Sequence, residues 1–325
     1  IGSMAFENKE INFPFLQALA QTVGKERVMV AVDTLNGEIV TKGWRRSTGL
    51  PLLETARELE PYVSELLFTC VEREGRAAGS DMDTIMELRK IFPKPLTAAG
   101  GVRSLQEIET LAKAGVDVQL GMALYTGKIR LDEAFIASLN WRQSLLPVIT
   151  VDRAGQVSML AYTNRKSLQK TFETGEMWYY SRSRRKLWHK GETSGHIQKL
   201  LHFRVDCDRD TLLAVVEQTG AACHLDSYSC FGDRQFSLTQ LYDIIGDRFA
   251  HPVPGSYTAT LDDKKVREKI LEEAREVVEA ASRDEVIWEA ADVLYFLTVL
   301  LQKEGVSIHD VLMELRRRSH GKRKK

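Results

Sequence analysis

From residue 28 to about residue 140, short continuously apolar runs alternate with amphipathic stretches. Val28–Val32, Leu66–Phe68, Leu96–Ala99 and Val116–Leu120 predict strands, and Leu50–Leu59, Met82–Ile91 and Leu105–Ala114 predict the helices between them. Strands with no polar alternation are buried on both faces, as in a parallel sheet covered by helices. A complete eight-stranded β/α barrel takes about 250 residues, so this segment amounts to at most half a barrel.

The pattern then changes. Val148–Val151 and Val157–Tyr162 read as a hairpin across Asp152–Gln156, and Met177–Tyr180, Leu200–Val205 and Thr211–Val216 are further strand or short-helix candidates. The Pro/Gly stretch His251–Ser256 marks a linker. Beyond it strand character is lost: Asp262–Ala281, Glu285–Glu304 and Ser307–Arg318 predict three helices, with Asp284 as an N-cap and Gly305 as a stop. There is no internal repeat. The fold class expected is multidomain: an α/β half-barrel over 1–140, a central α+β domain over 141–250 and an all-α domain over 251–325.

Composition narrows the function classes. The 325 residues carry 45 Lys+Arg and 45 Asp+Glu, and a chain of zero net charge lacks the basic excess that phosphate neutralisation of a nucleic acid needs. Seven Lys/Arg in residues 316–325 read as a solvated tail. No apolar run approaches the ~18 residues of a membrane span, and no basic-then-apolar signal opens the sequence. Residues Ile1–Ser3 ahead of Met4 look like a cleavage remnant and are left out of the reading. The four cysteines suit a reducing, cytoplasmic setting with free thiols.

Three of those cysteines, Cys207, Cys223 and Cys230, fall within 24 residues. Three thiolates suffice to hold Zn²⁺ with one tetrahedral position open for water. His224, beside Cys223, is placed to move protons. Cys207 sits inside Asp206-Cys-Asp208-Arg-Asp210. In an extended segment the three aspartates share a side, and a hard divalent cation such as Mg²⁺ would relieve their repulsion. The His-x-Glu and Pro-Cys-x-x-Cys pattern of zinc nucleoside deaminases does not occur. Upstream, Arg182, Arg184, Arg185 and Lys190 supply positive charge, Gly191, Ser194 and Gly195 permit close backbone approach to a phosphate, and Trp188 can stack on a base. Together they favour a phosphorylated nucleotide.

These residues carry a resemblance. Ser181-Arg-Ser-Arg184, Trp188-x-Lys-Gly-Glu-Thr-Ser-Gly195, Asp206-Cys-Asp-x-Asp210 and Cys223-His-x₅-Cys230-Phe231 resemble the phosphoribosyl-AMP cyclohydrolase family of histidine biosynthesis over about residues 145–235. The resemblance implies zinc on Cys207, Cys223 and Cys230, with Cys207 reaching across a dimer interface. It also implies magnesium on Asp206, Asp208 and Asp210, and hydrolytic opening of the N1–C6 bond of the adenine ring.

In the predicted helices, Glu272 or Glu273 neighbours Glu276 on one face. Asp292 lies inside an apolar run one turn after Glu289. A buried carboxylate without a partner is costly, and a magnesium ion shared between two helices would relieve both clusters. A solvated acidic face with Lys269 and Arg275 as partners serves the first helix but not the second. Glu-Glu-x-x-Glu276 followed by Glu289-x-x-Asp292, with Ser256-Tyr257-Thr258 ahead, resembles phosphoribosyl-ATP pyrophosphatase over about residues 255–320. That resemblance implies Mg²⁺-assisted release of pyrophosphate from phosphoribosyl-ATP, an ATP-derived nucleotide, with Glu273 and Glu276 catalytic. Phe296 stands where a histidine is expected.

Gly43-Trp44, Thr69, Ala99-Gly-Gly-Val102 and Gly121-x-Ala-Leu-Tyr125 resemble the second half of the histidine-pathway isomerase barrel. The aspartate expected after Thr69 is Cys70, so the resemblance argues for fold and against isomerase activity. Gly100-Gly101 and Gly121 remain placed to hold a phosphate. The expected whole is a cytoplasmic bifunctional hydrolase using Zn²⁺ and Mg²⁺ on small phosphoribosyl nucleotides. The alternative is a housekeeping nucleotide pyrophosphatase with a structural zinc domain. A homodimer is expected, both to complete the zinc site and to cover the two open edges of a four-stranded half-barrel.

Overall fold

The computed structural model describes residues 1–76, 78–252 and 255–320, and these fall into two compact units. The first comprises residues 1–150 and 160–214, the second residues 151–159 and 215–325.

The first unit begins with a small hairpin, β1 (Phe6–Glu7) and β2 (Glu10–Ile11), and helix α1 (Phe13–Val23). Asn12 caps α1 by accepting the Phe15 amide. A six-stranded sheet follows, made of β3 (Met29–Leu35), β4 (Glu38–Thr41), β5 (Arg46–Pro51), β6 (Glu65–Cys70), β7 (Leu96–Ala99) and β8 (Asp117–Gln119), in the order β5-β4-β3-β6-β7-β8. The four strands predicted from the apolar runs are the parallel core, in register Val30↔Leu66, Leu66↔Leu96 and Ala98↔Val118. The intervening helices α2 (Leu52–Leu59), α3 (Met82–Ile91) and α4 (Leu105–Lys113) also form where expected. They bury Leu59, Ile85, Leu88 and Leu111 against Val30, Val32, Leu66, Phe68 and Leu96.

One edge differs from expectation. β4 and β5 add antiparallel to β3, so its outer side is covered within the chain and needs no partner. The turn into β4 is Asn36-Gly37, with φ of 53° and 80°, the two-residue hairpin geometry that Asn-Gly favours. Ile1 also belongs to the fold: its carbonyl accepts from Ala31 at 2.7 Å.

After α5 (Met122–Tyr125) and α6 (Leu131–Ser138) come β9 (Leu146–Val151), β10 (Val157–Thr163), α7 (Arg165–Thr174), β11 (Trp178–Ser181), β12 (Lys186–His189), β13 (Gln198–Val205) and β14 (Leu212–Gln218). The larger sheet runs β10-β9-β14-β13, and β11-β12 is a separate hairpin. Asn164 caps α7 and Gly175, left-handed at φ 72°, ends it. Within the first unit, Phe135 of α6, Phe172 of α7 and Phe203 of β13 form an aromatic triangle with centroids 5.6 to 5.8 Å apart.

In the second unit α8 (Leu238–Ala250), α9 (Asp263–Glu279), α10 (Arg283–Lys303) and α11 (Ile308–His320) follow one another. The three helices predicted after the linker are α9 to α11. Ser282, not Asp284, caps α10 by accepting the Glu285 amide, and Gly305 follows its end at φ 66°. Ile245 of α8 packs with Leu261, Val266, Phe296 and Val299. The helix before the linker therefore shares a core with the helices after it. Part of the linker, residues 253 and 254, and residues 321–325 of the basic tail lie outside the described residues.

Candidate active sites

The Asp206–Asp210 segment is a turn, not the extended strand expected from its alternation. Its three carboxylates still converge, with one oxygen of each of Asp206, Asp208 and Asp210 lying within 4.8 Å of the others. The turn does this through Arg209, left-handed at φ 63°. The Arg209 amide donates to the Asp206 carbonyl at 3.3 Å. Asp206 Oδ1 accepts from the Asp210 and Thr211 amides at 3.0 and 3.1 Å. All three aspartates are exposed, and oxygen-only donors in a solvated loop suit a hard cation.

The basic loop is carried by the β11-β12 hairpin and the turn after it. Arg182 lies 3.8 Å over the Tyr162 ring and Arg184 5.6 Å over Trp188, stacking that orients guanidinium groups while leaving their donors usable. Lys190 is buried and donates to the His196 carbonyl at 3.0 Å, a strut of the loop rather than an exposed charge. Gly191 stands at φ 89°, and a Cβ there would meet the Ile197 amide nitrogen at 2.6 Å, so no larger residue closes this turn. Gly195 is left-handed at φ 74°, and Ser194 Oγ accepts from the His196 amide at 3.2 Å.

Cys207 lies exposed in the first unit; Cys223, half-buried, and Cys230, exposed, lie in the second. The Cys230 amide donates to the Ser158 carbonyl at 2.8 Å and Ser229 Oγ to Val157 at 2.7 Å, which pins the thiol-bearing turn. His224 Nδ1 lies 3.9 Å from Cys223 Sγ.

The helical carboxylates form the other cluster. Glu273 of α9 and Glu289 and Asp292 of α10 bring one oxygen each within 4.8 Å of one another, and Glu273 is buried. Glu289 is held above the usual carboxylate range, first by partial desolvation, then by the hydrogen bond its protonated form donates to Glu276 and by the charges of Glu276, Glu273 and Asp292. Lys269 contacts Glu272 at 3.0 Å and Glu273 at 3.2 Å, and both carboxylates raise its pKa. Glu272 thus sits at the rim, paired with Lys269, while Glu273, Glu276, Glu289 and Asp292 face one another. Phe296 is core: it is 5% exposed and edge-on to Tyr295 at 5.2 Å.

Residues 159–232 match the phosphoribosyl-AMP cyclohydrolase family, and residues 238–319 match the phosphoribosyl-ATP pyrophosphohydrolase family. The chain is 46% identical over 190 residues to the histidine biosynthesis bifunctional protein HisIE of Lactococcus lactis, covering 54% of this chain and 90% of that protein. It is 45% identical over 190 residues to HisIE of Bacillus subtilis (54% and 91%) and 42% over 204 residues to HisIE of Pyrococcus furiosus (57% and 98%). The chain belongs to the bifunctional HisIE family. It is therefore a histidine-biosynthesis enzyme with a cyclohydrolase and a pyrophosphohydrolase part. The pyrophosphohydrolase match begins at the first residue of α8, the helix that shares its core.

Residues 1–130 match a further family, described as histidine biosynthesis protein. In this segment Cys70, not the expected aspartate, follows Thr69. Cys70 is buried, and burial, with the Glu72 carboxylate its thiol donates to at 3.4 Å, pushes it up to about 11. The glycine turn is tight: a Cβ on Gly100 would meet Glu74 Oε2 at 3.0 Å, and the space lined by Gly100, Gly101 and Gly121 is about 30 Å³. Sequence reasoning named Lys269 as a partner of this acidic face, where it does contact Glu272 and Glu273, and missed Asp117 as the partner of Arg209 at 2.6 Å. No spacing rule links Asp117 to a residue 92 positions away.

No helix among the described residues is long and apolar enough to cross a membrane.

Proposed function

We propose that the helical site releases pyrophosphate from phosphoribosyl-ATP and that the central domain then opens the adenine ring of the phosphoribosyl-AMP produced, in the cytoplasm. The observation that carries the first step is the convergence of Glu273, Glu289 and Asp292 from two helices. Four carboxylates at close range, one of them protonated more readily than usual, are a donor set that fits Mg²⁺. Magnesium would screen the polyphosphate charge there. Glu273, fixed by Lys269, and Glu276 are the side chains placed to orient water, and they are the proposed catalytic residues.

For ring opening, the donor chemistry of Cys207, Cys223 and Cys230 fits zinc, which supplies a water of lowered pKa when bound. Asp206, Asp208 and Asp210 fit magnesium. His224 is the proposed proton carrier. Arg182, Arg184, Trp188 and the backbone at Gly191, Ser194 and Gly195 are proposed to bind the phosphoribosyl groups, with Lys190 holding the loop. The proposed functional parts follow the three domains, 1–140, 141–250 and 251–325, with α8 working on the pyrophosphohydrolase side. The amino-terminal part is read as a degenerate half of the isomerase barrel without isomerase activity. A homodimer, in which Cys207 serves the partner's zinc, is proposed for the cyclohydrolase part.

Incubating the whole chain with phosphoribosyl-ATP and following both pyrophosphate and ring opening tests the reading. Both signals are expected, in that order. Pyrophosphate release from ordinary nucleoside triphosphates at the same rate, without ring opening, would instead mark a housekeeping pyrophosphatase.

A further inference from the structure

We propose that the amino-terminal α/β domain positions the Asp206–Asp210 loop, through Asp117, Arg209 and Asn140; this rests on the reading of that loop as a divalent-cation site. The loop is an unfavourable object by itself. It gathers three carboxylates within 4.8 Å and holds Arg209 at φ 63°, a conformation that a residue with a side chain keeps only when its surroundings impose it. Its internal bonds, from the Arg209, Asp210 and Thr211 amides to Asp206, close the turn but do not anchor it.

The anchors come from the α/β domain, in the same compact unit. Arg209 Nη2 meets Asp117 Oδ1 at 2.6 Å with its side chain only 20% exposed. The Asn140 amide donates to the Arg209 carbonyl at 2.8 Å, and Asn140 Nδ2 to the Asp208 carbonyl at 3.1 Å. Two consecutive loop peptides and the one basic side chain are thereby tied down.

Asp117, which accepts from Arg209, and Asn140, which donates to the loop carbonyls, are themselves held in place. Asp117 lies on β8, paired with Thr97. Asn140 follows α6, which the aromatic triangle of Phe135, Phe172 and Phe203 holds against the central sheet. Arg165 adds a bridge to Glu109 of α4 at 2.9 Å and stacks over Trp141 at 5.0 Å, and Trp141 Nε1 donates to the Ile136 carbonyl at 2.7 Å. Beneath the loop lies a cavity of 530 Å³ lined by Val118, Leu120, Phe135, Asp206 and Cys207 among others. The loop is therefore spanned by polar struts rather than seated on a packed core, and loss of the struts leaves it free to spread its repelling charges. A barrel half without its own chemistry thus acquires a positioning role in the neighbouring reaction.

The test uses the whole chain carrying Asp117→Asn, Asn140→Ala, or both. Binding of Mn²⁺ is read by electron paramagnetic resonance, and ring opening of supplied phosphoribosyl-AMP is read against Mg²⁺ concentration. The expected result is a rise in the half-saturating Mg²⁺ and in the Mn²⁺ dissociation constant, about threefold for Asp117→Asn and about tenfold for the pair. The rate at saturating Mg²⁺ and the release of pyrophosphate stay unchanged. The charge-swapped Asp117→Arg with Arg209→Asp recovers part of the loss. Unchanged Mn²⁺ and Mg²⁺ affinities in folded variants overturn the proposal, and so does a fall in rate that no Mg²⁺ concentration restores. Asp208→Asn is the control for the underlying reading, since it must remove one class of Mn²⁺ site. If it removes none, the cation reading fails and amide exchange at Asp210 and Thr211 decides. Faster exchange in Asp117→Asn then supports the positioning role, and unchanged exchange overturns it.

Discussion

The two acidic clusters solve one electrostatic problem in opposite ways. In the loop, Asp206, Asp208 and Asp210 are exposed, and backbone amides and solvent carry their charge. In the helices, Glu273 is buried and Glu289 and Asp292 half-buried, so water does less; Lys269 neutralises one side and a raised Glu289 pKa relieves the other. Backbone amides cannot serve in a helix interior, where they are already spent on the helix itself. The loop cluster therefore depends on the shape of the chain around it, and the helical cluster on Lys269 and on the proton that Glu289 holds.

The largest expected effect follows from that contrast. Glu273→Gln and Asp292→Asn should each reduce pyrophosphate release about a hundredfold or more, because each removes charge from the carboxylate cluster proposed to hold Mg²⁺. Glu276→Gln should do the same, and ring opening of supplied phosphoribosyl-AMP should persist in all three. Normal release from Asp292→Asn at limiting Mg²⁺ would remove the helical cluster from the reaction. On the other side, Cys223→Ser should abolish ring opening, cost the protein its zinc in metal analysis, and leave pyrophosphate release intact. Loss of both activities in a folded variant would show that the two sites are not separable.

A middle-sized effect concerns acidity. The Glu289 carboxyl binds its proton more tightly in the folded chain than its ordinary value of 4.5. That contribution to stability is fully present below the ordinary value and is lost as pH rises through the raised one. Thermal melting followed by circular dichroism in chelator should therefore show a decline over that window that Glu289→Gln flattens and added Mg²⁺ offsets. The smallest effect is expected for Lys269→Met. A single cation partly exposed to solvent is worth about a factor of three, read as a weaker Mg²⁺ dependence of pyrophosphate release.

Much of this was legible from the residues because period and punctuation were strong. Continuous β-branched runs located β3, β6, β7 and β8, and the Glu and Asp spacings of 272–292 located the carboxylates that α9 and α10 bring together. The aspartate triplet was correctly grouped for an incorrect reason: alternation along a strand was assumed, whereas Arg209 makes a turn. A left-handed arginine leaves no mark in composition. The β3-β4 hairpin was overlooked although Asn36-Gly37 announces it, and β5 was overlooked because its Leu50 was read forward into α2. The place of α8 was hidden as well, since a Pro/Gly linker shows where the chain bends and not which core a helix joins.

The hairpin also bears on how the chain folds. Parallel pairing of β3 with β6 must wait for a long crossover, and such non-local closures are slow. The β3-β4-β5 meander closes through a two-residue and a four-residue turn and needs only local contacts, which form in about 1–10 microseconds. Strand β3 would then already be straightened and tethered when β6 arrives, so that the slow closure joins a prepared template to a single incoming strand. Replacing Gly37 should accordingly show itself first in the rate of folding.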